Sequence, residues 1–99
     1  MEDKDVKIIR SGMGLISIDM IATGQRIRTL MQAKDLNVKQ LAEQMEVVSP
    51  QAIYKWLRGD TIPSWENLFL LKDILGVDSV EDLFVFRPHV GSDTKLGSK

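Results

Sequence analysis

Four side chains able to form hydrogen bonds stand at Gln51, Tyr54, Lys55 and Arg58. Their spacing is i, i+3, i+4 and i+7, which puts all four on one face of a helix. A glutamine amide can pair bidentately with adenine, and a lysine ammonium can donate to guanine O6 and N7. A tyrosine offers a ring edge to a thymine methyl and a hydroxyl to a phosphate. Such a face on a slim rod suits the edges of bases in a DNA major groove. Each residue alone is an ordinary solvated surface group, so its meaning depends on the stretch that carries it.

That stretch, residues 49–59, reads as a short capped helix. Ser49 is a good N-cap, and Pro50 suits the first helical position, where a missing N–H costs nothing. Gly59 suits a left-handed stop. Ile53 and Trp56, with Leu57 beside them, form the opposite, apolar stripe, which makes Trp56 a core residue.

The elements that must hold this helix can be read on either side of it. A first helix is expected from Met20 or Thr23, with Thr23 as the cap, to about residue 33. Ile27, Leu30 and Met31 are its inner stripe, and Arg26, Arg28 and Lys34 face out. Asp35-Leu36-Asn37 breaks it, and Asn37 can cap a second helix over about residues 38–45. There Leu41, Ala42 and Met45 point inward, while Lys39, Gln40, Glu43 and Gln44 point outward. Glu46-Val47-Val48 forms the turn. After an Asp60-Thr61-Ile62-Pro63 connector, Ser64 caps a fourth helix with Leu68, Leu71, Ile74 and Leu75 on its core face, Trp65 at the core edge and Gly76 at its close. A fifth, short helix is expected at about residues 79–84, offering Val80, Leu83 and Phe84. The pattern predicts a compact, all-α, five-helix domain over residues 20–86, its second and third helices forming a helix-turn-helix.

The ends read differently. Residues 1–5 are polar and expected to fray. Val6-Lys7-Ile8-Ile9-Arg10 and Leu15-Ile16-Ser17-Ile18 flank a Gly-rich turn, so residues 1–19 form either a β-hairpin or a loose arm. A lone hairpin is marginal in water and needs a partner, its own domain or the same segment of a second subunit. Residues 87–99 are Gly-, Ser- and Lys-rich and read as a disordered tail.

Bulk composition narrows the function classes. At 99 residues, 43% hydrophobic and a mean hydropathy of −0.09, the chain suits one small globular domain. It has no run of about 18 apolar residues to span a membrane, and its acidic start does not suit a signal peptide. With no cysteine it has no disulfide, thiolate nucleophile or Cys-based zinc site. A cytoplasmic protein is expected. The only histidine, His89, lies in the tail, where a Ser–His–Asp site could not be fixed. Glu81-Asp82 and the Glu43, Glu46 pair read as solvated helix charges. No catalytic residue, metal ligand or cofactor site is expected, and the chain does not read as an enzyme.

Net charge is −1, but it is unevenly placed. Residues 25–58 hold six cations against three anions, a net +3, and residues 59–86 hold one cation against six anions, a net −5. A bipolar domain can still draw phosphates to one end.

The ordered set Arg26-Ile27-Arg28-Thr29-Leu30, residues 36–43, residues 49–56 with Arg58-Gly59, Ile62-Pro63-Ser64 and Glu66-Asn67-Leu68 through Val77 resembles the helix-turn-helix domain of phage-repressor-like (lambda-repressor-like), Cro/C1-type bacterial regulators of the XRE family. The resemblance covers about two-thirds of the chain, from Thr23 to about Val85. It implies binding of double-stranded DNA, repressor-like transcription regulation, and often a homodimer on a palindromic operator. It also implies that Gln51, Tyr54 and Lys55 occupy base-reading positions, and that Lys39, Gln40, Arg58 and Asn67 occupy backbone-contacting ones. Three residues depart from the pattern: Glu46 stands where the turn usually has glycine, Val38 replaces a polar residue, and Leu57 replaces a charged one. An alternative use of the same fold is a protein-binding or antitoxin-like module whose acidic C-terminal half docks a partner.

Overall fold

The computed structural model describes residues 6–11 and 14–88. The expectations for residues 1–5 and for His89 and the rest of the tail fall outside the described residues. In chain order the elements are β1 (Val6–Ser11), β2 (Gly14–Asp19), α1 (Met20–Ala33), α2 (Val38–Met45), α3 (Pro50–Arg58), α4 (Trp65–Leu75), a 3-10 turn (Val80–Leu83) and β3 (Phe86–Pro88). Among the described residues there are thus four α-helices; the expected fifth is a single four-residue 3-10 turn. Too short to carry a helical stripe, it seals the core with one side chain, Leu83, which is fully buried.

The core joins all four helices. Ile27 and Met31 from α1, Leu41 and Met45 from α2, Ile53, Trp56 and Leu57 from α3, and Leu68, Leu71 and Leu75 from α4 form one cluster closed by Leu83. Each such side chain stabilises the fold by roughly 1.5–3 kcal/mol through burial. Leu57 therefore belongs to the core of its own chain.

Helix α1 starts one turn earlier than a Thr23 cap would place it. The Asp19 carboxylate caps it by accepting the Ala22 N–H at 3.0 Å. Thr23 is buried inside the first turn, and its hydroxyl oxygen accepts the Val85 N–H at 2.9 Å. Asp19 also donates its own N–H to the Val85 carbonyl and accepts Arg87 Nη2 at 3.2 Å. One carboxylate and one hydroxyl thus staple residues 85–87 to the start of α1.

Of the two alternatives for the N-terminal segment, the hairpin is the one formed. β1 and β2 pair antiparallel without interruption from Val6↔Asp19 to Ser11↔Gly14. β3 adds to the other side of β2, giving the order β1-β2-β3. Arg87 and Pro88 are therefore strand residues rather than the start of a tail: the ladder to Ser17 and Ile16 and the Arg87–Asp19 ion pair hold them.

Candidate nucleic-acid interface

Helix α3 is defined at both ends by its own sequence. The Ser49 hydroxyl accepts the Ala52 N–H at 3.2 Å, with Pro50 at the first helical position. At the far end Gly59 takes φ +82°, its N–H donates to Trp56 O at 3.1 Å, and the Asp60 N–H reaches Lys55 O at 2.9 Å. That double closure is the Schellman arrangement, and the left-handed residue inside it favours glycine.

The helix divides cleanly into two sides. Ile53, Trp56 and Leu57 are buried, whereas Gln51, Tyr54, Lys55 and Arg58 are exposed. Helix α1 presses against the C-terminal backbone of α3 at Gly24. A Cβ there would lie 2.4 Å from the Leu57 carbonyl oxygen and 2.7 Å from that of Trp56. This bare backbone contact fixes the depth at which α3 sits, and no periodicity in the sequence marks it.

Helix α2 is set by a capping box. Asn37 Oδ1 accepts the Gln40 N–H at 2.8 Å, and Gln40 Oε1 accepts the Asn37 N–H at 2.9 Å. The Gln40 amide oxygen is thus committed to the cap, which leaves its side-chain NH2 to donate to a phosphate. Lys39 next to it is exposed. Between the helices, Glu46 adopts φ +69° and ψ −52°, and the Val47 N–H donates to Met45 O at 2.7 Å. This is a γ-turn of the strained hand, centred on a residue with a Cβ. The position where the family pattern has glycine is indeed one that glycine would occupy more easily.

The remaining candidates are less free than their types suggest. Arg58 Nε donates to Asp60 Oδ2 at 2.9 Å in an exposed ion pair. Asp60 stands two residues from Arg58, so the sequence carried a signal for this pairing. Asn67 sits in the first turn of α4, half-buried, with its backbone N–H held by Ser64 Oγ at 3.3 Å. Tyr54 is 47% exposed and lines a shallow depression with Arg28, Gln32, Asn37 and Val38. That depression brings Arg28 beside the start of α2, a cation the base- and backbone-contacting set did not include. Arg26, half-buried at the surface, donates its Nε to the Asp82 carbonyl and ties α1 to the 3-10 turn.

The acidic half carries a different surface. Trp65, expected at the core edge, is 64% exposed and packs edge-to-face on Phe69 with ring centroids 5.0 Å apart. These two rings, with Ile18, Phe84 and Phe86, line an open groove rimmed by Lys72, Asp78 and Glu81. Among the described residues no cluster of His, Asp and Glu is arranged to hold a metal ion, and no helix is long and apolar enough to cross a membrane.

The pattern of the family described as helix-turn-helix matches residues 27–81, more than half of the chain. The chain belongs to the Cro/C1-type helix-turn-helix family, a family of DNA-binding transcription regulators. Among solved structures it is similar to the restriction-modification controller protein C.AhdI from Aeromonas hydrophila, at 29% identity and a TM-score of 0.59, covering 67% of this chain and 97% of that one. It also shares the fold of the DNA-binding domain of BldD, at 21% identity and a TM-score of 0.56, covering 67% of this chain and 93% of that one. No curated protein matches the sequence.

Proposed function

We infer that this protein is a sequence-specific transcription regulator of a bacterium or its phage, acting in the cytoplasm, with α3 entering the DNA major groove. The observation that supports this most is the division of α3. On a scaffold of this family, one side of a doubly capped helix is locked into the core while Gln51, Tyr54, Lys55 and Arg58 stay in solvent. In this reading Gln51 reads adenine, Lys55 reads guanine, and Tyr54 meets a thymine methyl or a phosphate. Lys39, Gln40, Arg58 and Asn67 hold the sugar-phosphate backbone, which positions the domain without specifying sequence.

The functional unit is a homodimer with one α3 per half-site and half-sites about one helical turn apart. A single domain with few cations binds weakly, and two sum their phosphate contacts. With roughly three phosphates per monomer, log K falls with log[salt] at a slope near −5 for the dimer. The decisive experiment is selection of bound duplexes from a random pool, followed by salt titration on the selected sequence. A palindromic consensus and a steep slope support the reading; no enrichment and no salt dependence overturn it.

A second reading, a protein-binding or antitoxin-like module, has the open groove of Trp65, Phe69, Phe84 and Phe86 in its favour. Its rim charges, Asp78 and Glu81 against Lys72, suit a basic partner. Failure to shift any DNA at low salt, together with stoichiometric binding of a purified basic partner that Trp65→Ala abolishes, would favour it.

A further inference from the structure

The three-stranded sheet has two unlike edges. On one side β3 is three residues long and ends in Pro88, which has no N–H to donate. Short edges, proline and edge charges are the usual protections against unwanted pairing; β3 has the first two, and β1 has only the charges of Lys7 and Arg10. On the other side β1 runs six residues, Val6–Ser11, without proline or glycine. Its ladder to β2 is continuous over six pairs, so no bulge bends it away. No described strand lies on its outer side. Every second N–H and C=O along that side has no ladder partner among the described strands. The sheet lies outside residues 27–81, the part matched by the family pattern.

We propose that β1 pairs antiparallel with β1 of a second copy, joining two three-stranded sheets into one of six strands around a two-fold axis. The partner is this same chain because the edges differ. An edge that pairs with itself closes on a two-fold and stops, since the outer edges of the product are the short, proline-ended β3 strands. Charge then selects the register. β1 carries two cations, Lys7 and Arg10. Adjacent pairs of an antiparallel ladder alternate in type, so the two-fold lies at a residue facing its own copy; an axis at Lys7 or Arg10 sets like charges directly opposite, which destabilises a sheet. An axis through Ile8 sets Lys7 opposite the partner's Ile9, and one through Ile9 sets Lys7 opposite the partner's Ser11. An axis at Val6 or Ser11 would leave the two strands almost unpaired, so the two-fold passes through Ile8 or Ile9. This deepens the homodimer part of the proposed function by naming its surface, and it is tested without DNA.

The placement suits two recognition helices on one operator. β2 runs directly into α1, and the backbone at Met20 and Ile21 abuts the C-terminal stop of α3 at Gly59. Joining two sheets thus brings the C-terminal ends of two α3 helices toward the same axis.

The chain has no cysteine, so single cysteines can be introduced at each of positions 6–11 and oxidised. Directly opposed residues in an antiparallel pair have Cα atoms about 4.5–5.5 Å apart, inside the roughly 4.4–6.8 Å a disulfide spans. A residue one position from the axis faces its own copy across two residues, about 8 Å away, and cannot bridge. The expected result is a covalent dimer from Ile8→Cys or Ile9→Cys alone, none from Trp65→Cys or Phe69→Cys, and a sedimentation mass of the unaltered chain rising with concentration from 11.2 kDa to twice that value. Far-ultraviolet circular dichroism checks that each variant keeps its helices. A monomer at all concentrations, crosslinking at 65 or 69 instead, or crosslinking at all six β1 positions alike would overturn the proposal. Because these measurements contain no DNA, their failure leaves the DNA-binding reading standing, and the reverse also holds.

Discussion

Gly24→Ala sets two effects of opposite sign against each other. In an isolated helix, alanine is favoured over glycine by about 1 kcal/mol, because glycine loses more backbone entropy on folding. Gly24 lies in the first half of α1, so propensity alone predicts a more stable protein. The packing predicts the reverse. The new Cβ would meet the Leu57 carbonyl oxygen at 2.4 Å, where real Cβ contacts essentially never fall below 3.0 Å, a shortfall of at least 0.6 Å. The obstacles are backbone atoms of Trp56 and Leu57 in α3, so no side chain can rotate aside. The two helices must separate, loosening Ile27, Ile53, Trp56 and Leu57 in the shared core. Overpacking of this kind costs about 1–3 kcal/mol, and more where the backbone must move. Because the obstacles are backbone, the cost falls in the upper part of that range, about 2–3 kcal/mol, and a gain of about 1 kcal/mol leaves a net loss of roughly 1–2 kcal/mol. For a domain of this size each kcal/mol lowers the thermal midpoint by about 4–8 °C. Thermal and urea unfolding followed by circular dichroism measure it. Because the displaced element is α3, DNA affinity should fall at temperatures where the variant is still folded. A Gly24→Ala protein as stable as the parent, or more so, would refute the close approach of α1 to α3.

Three further changes probe the interface. Glu46→Gly relieves a left-handed γ-turn that costs a residue with a Cβ roughly 1–3 kcal/mol, against about 0.5–1 kcal/mol of added chain entropy. The midpoint should rise by a few degrees, and an unchanged or lower one would contradict the strained turn. Asp60→Asn removes the carboxylate held by Arg58 at 2.9 Å and should raise DNA affinity by up to about fivefold per monomer, measured by fluorescence anisotropy on the selected duplex at low salt. Equal affinity for variant and parent would mean that Arg58 does not meet the phosphates. Lys55→Ala should cost about 1–3 kcal/mol of binding and relax the preference at one base pair, while Arg58→Ala should weaken all sequences alike. Competition assays with single-base variants of the selected duplex separate the two.

The residues that could be read along the chain were those whose signals are local. Ser49, Pro50 and Gly59 announce α3 because each solves a backbone problem at one helix end, and Asn37 does the same for α2. The apolar stripes at Leu41, Met45, Ile53 and Trp56 were legible because a helix repeats every 3.6 residues. The exposed face of Gln51, Tyr54, Lys55 and Arg58 follows from the same repeat, since burying one stripe turns the other outward.

What only the tertiary structure decided are the contacts between segments distant in sequence. A glycine in the middle of α1 looks like a weakness until α3 lies against it. Thr23 passes for an N-cap until Val85, 62 residues later, presents an N–H to its hydroxyl. Arg87 and Pro88 read as tail because three residues are too few for a strand pattern, and they become a strand only because β2 offers an edge. Trp65 reads as a residue at the core edge, yet it is 64% exposed and rests edge-to-face on Phe69, while Leu68, Leu71 and Leu75 form the buried side of α4. Local backbone chemistry and helical period are written in consecutive residues; which surfaces meet depends on the packing of the whole chain.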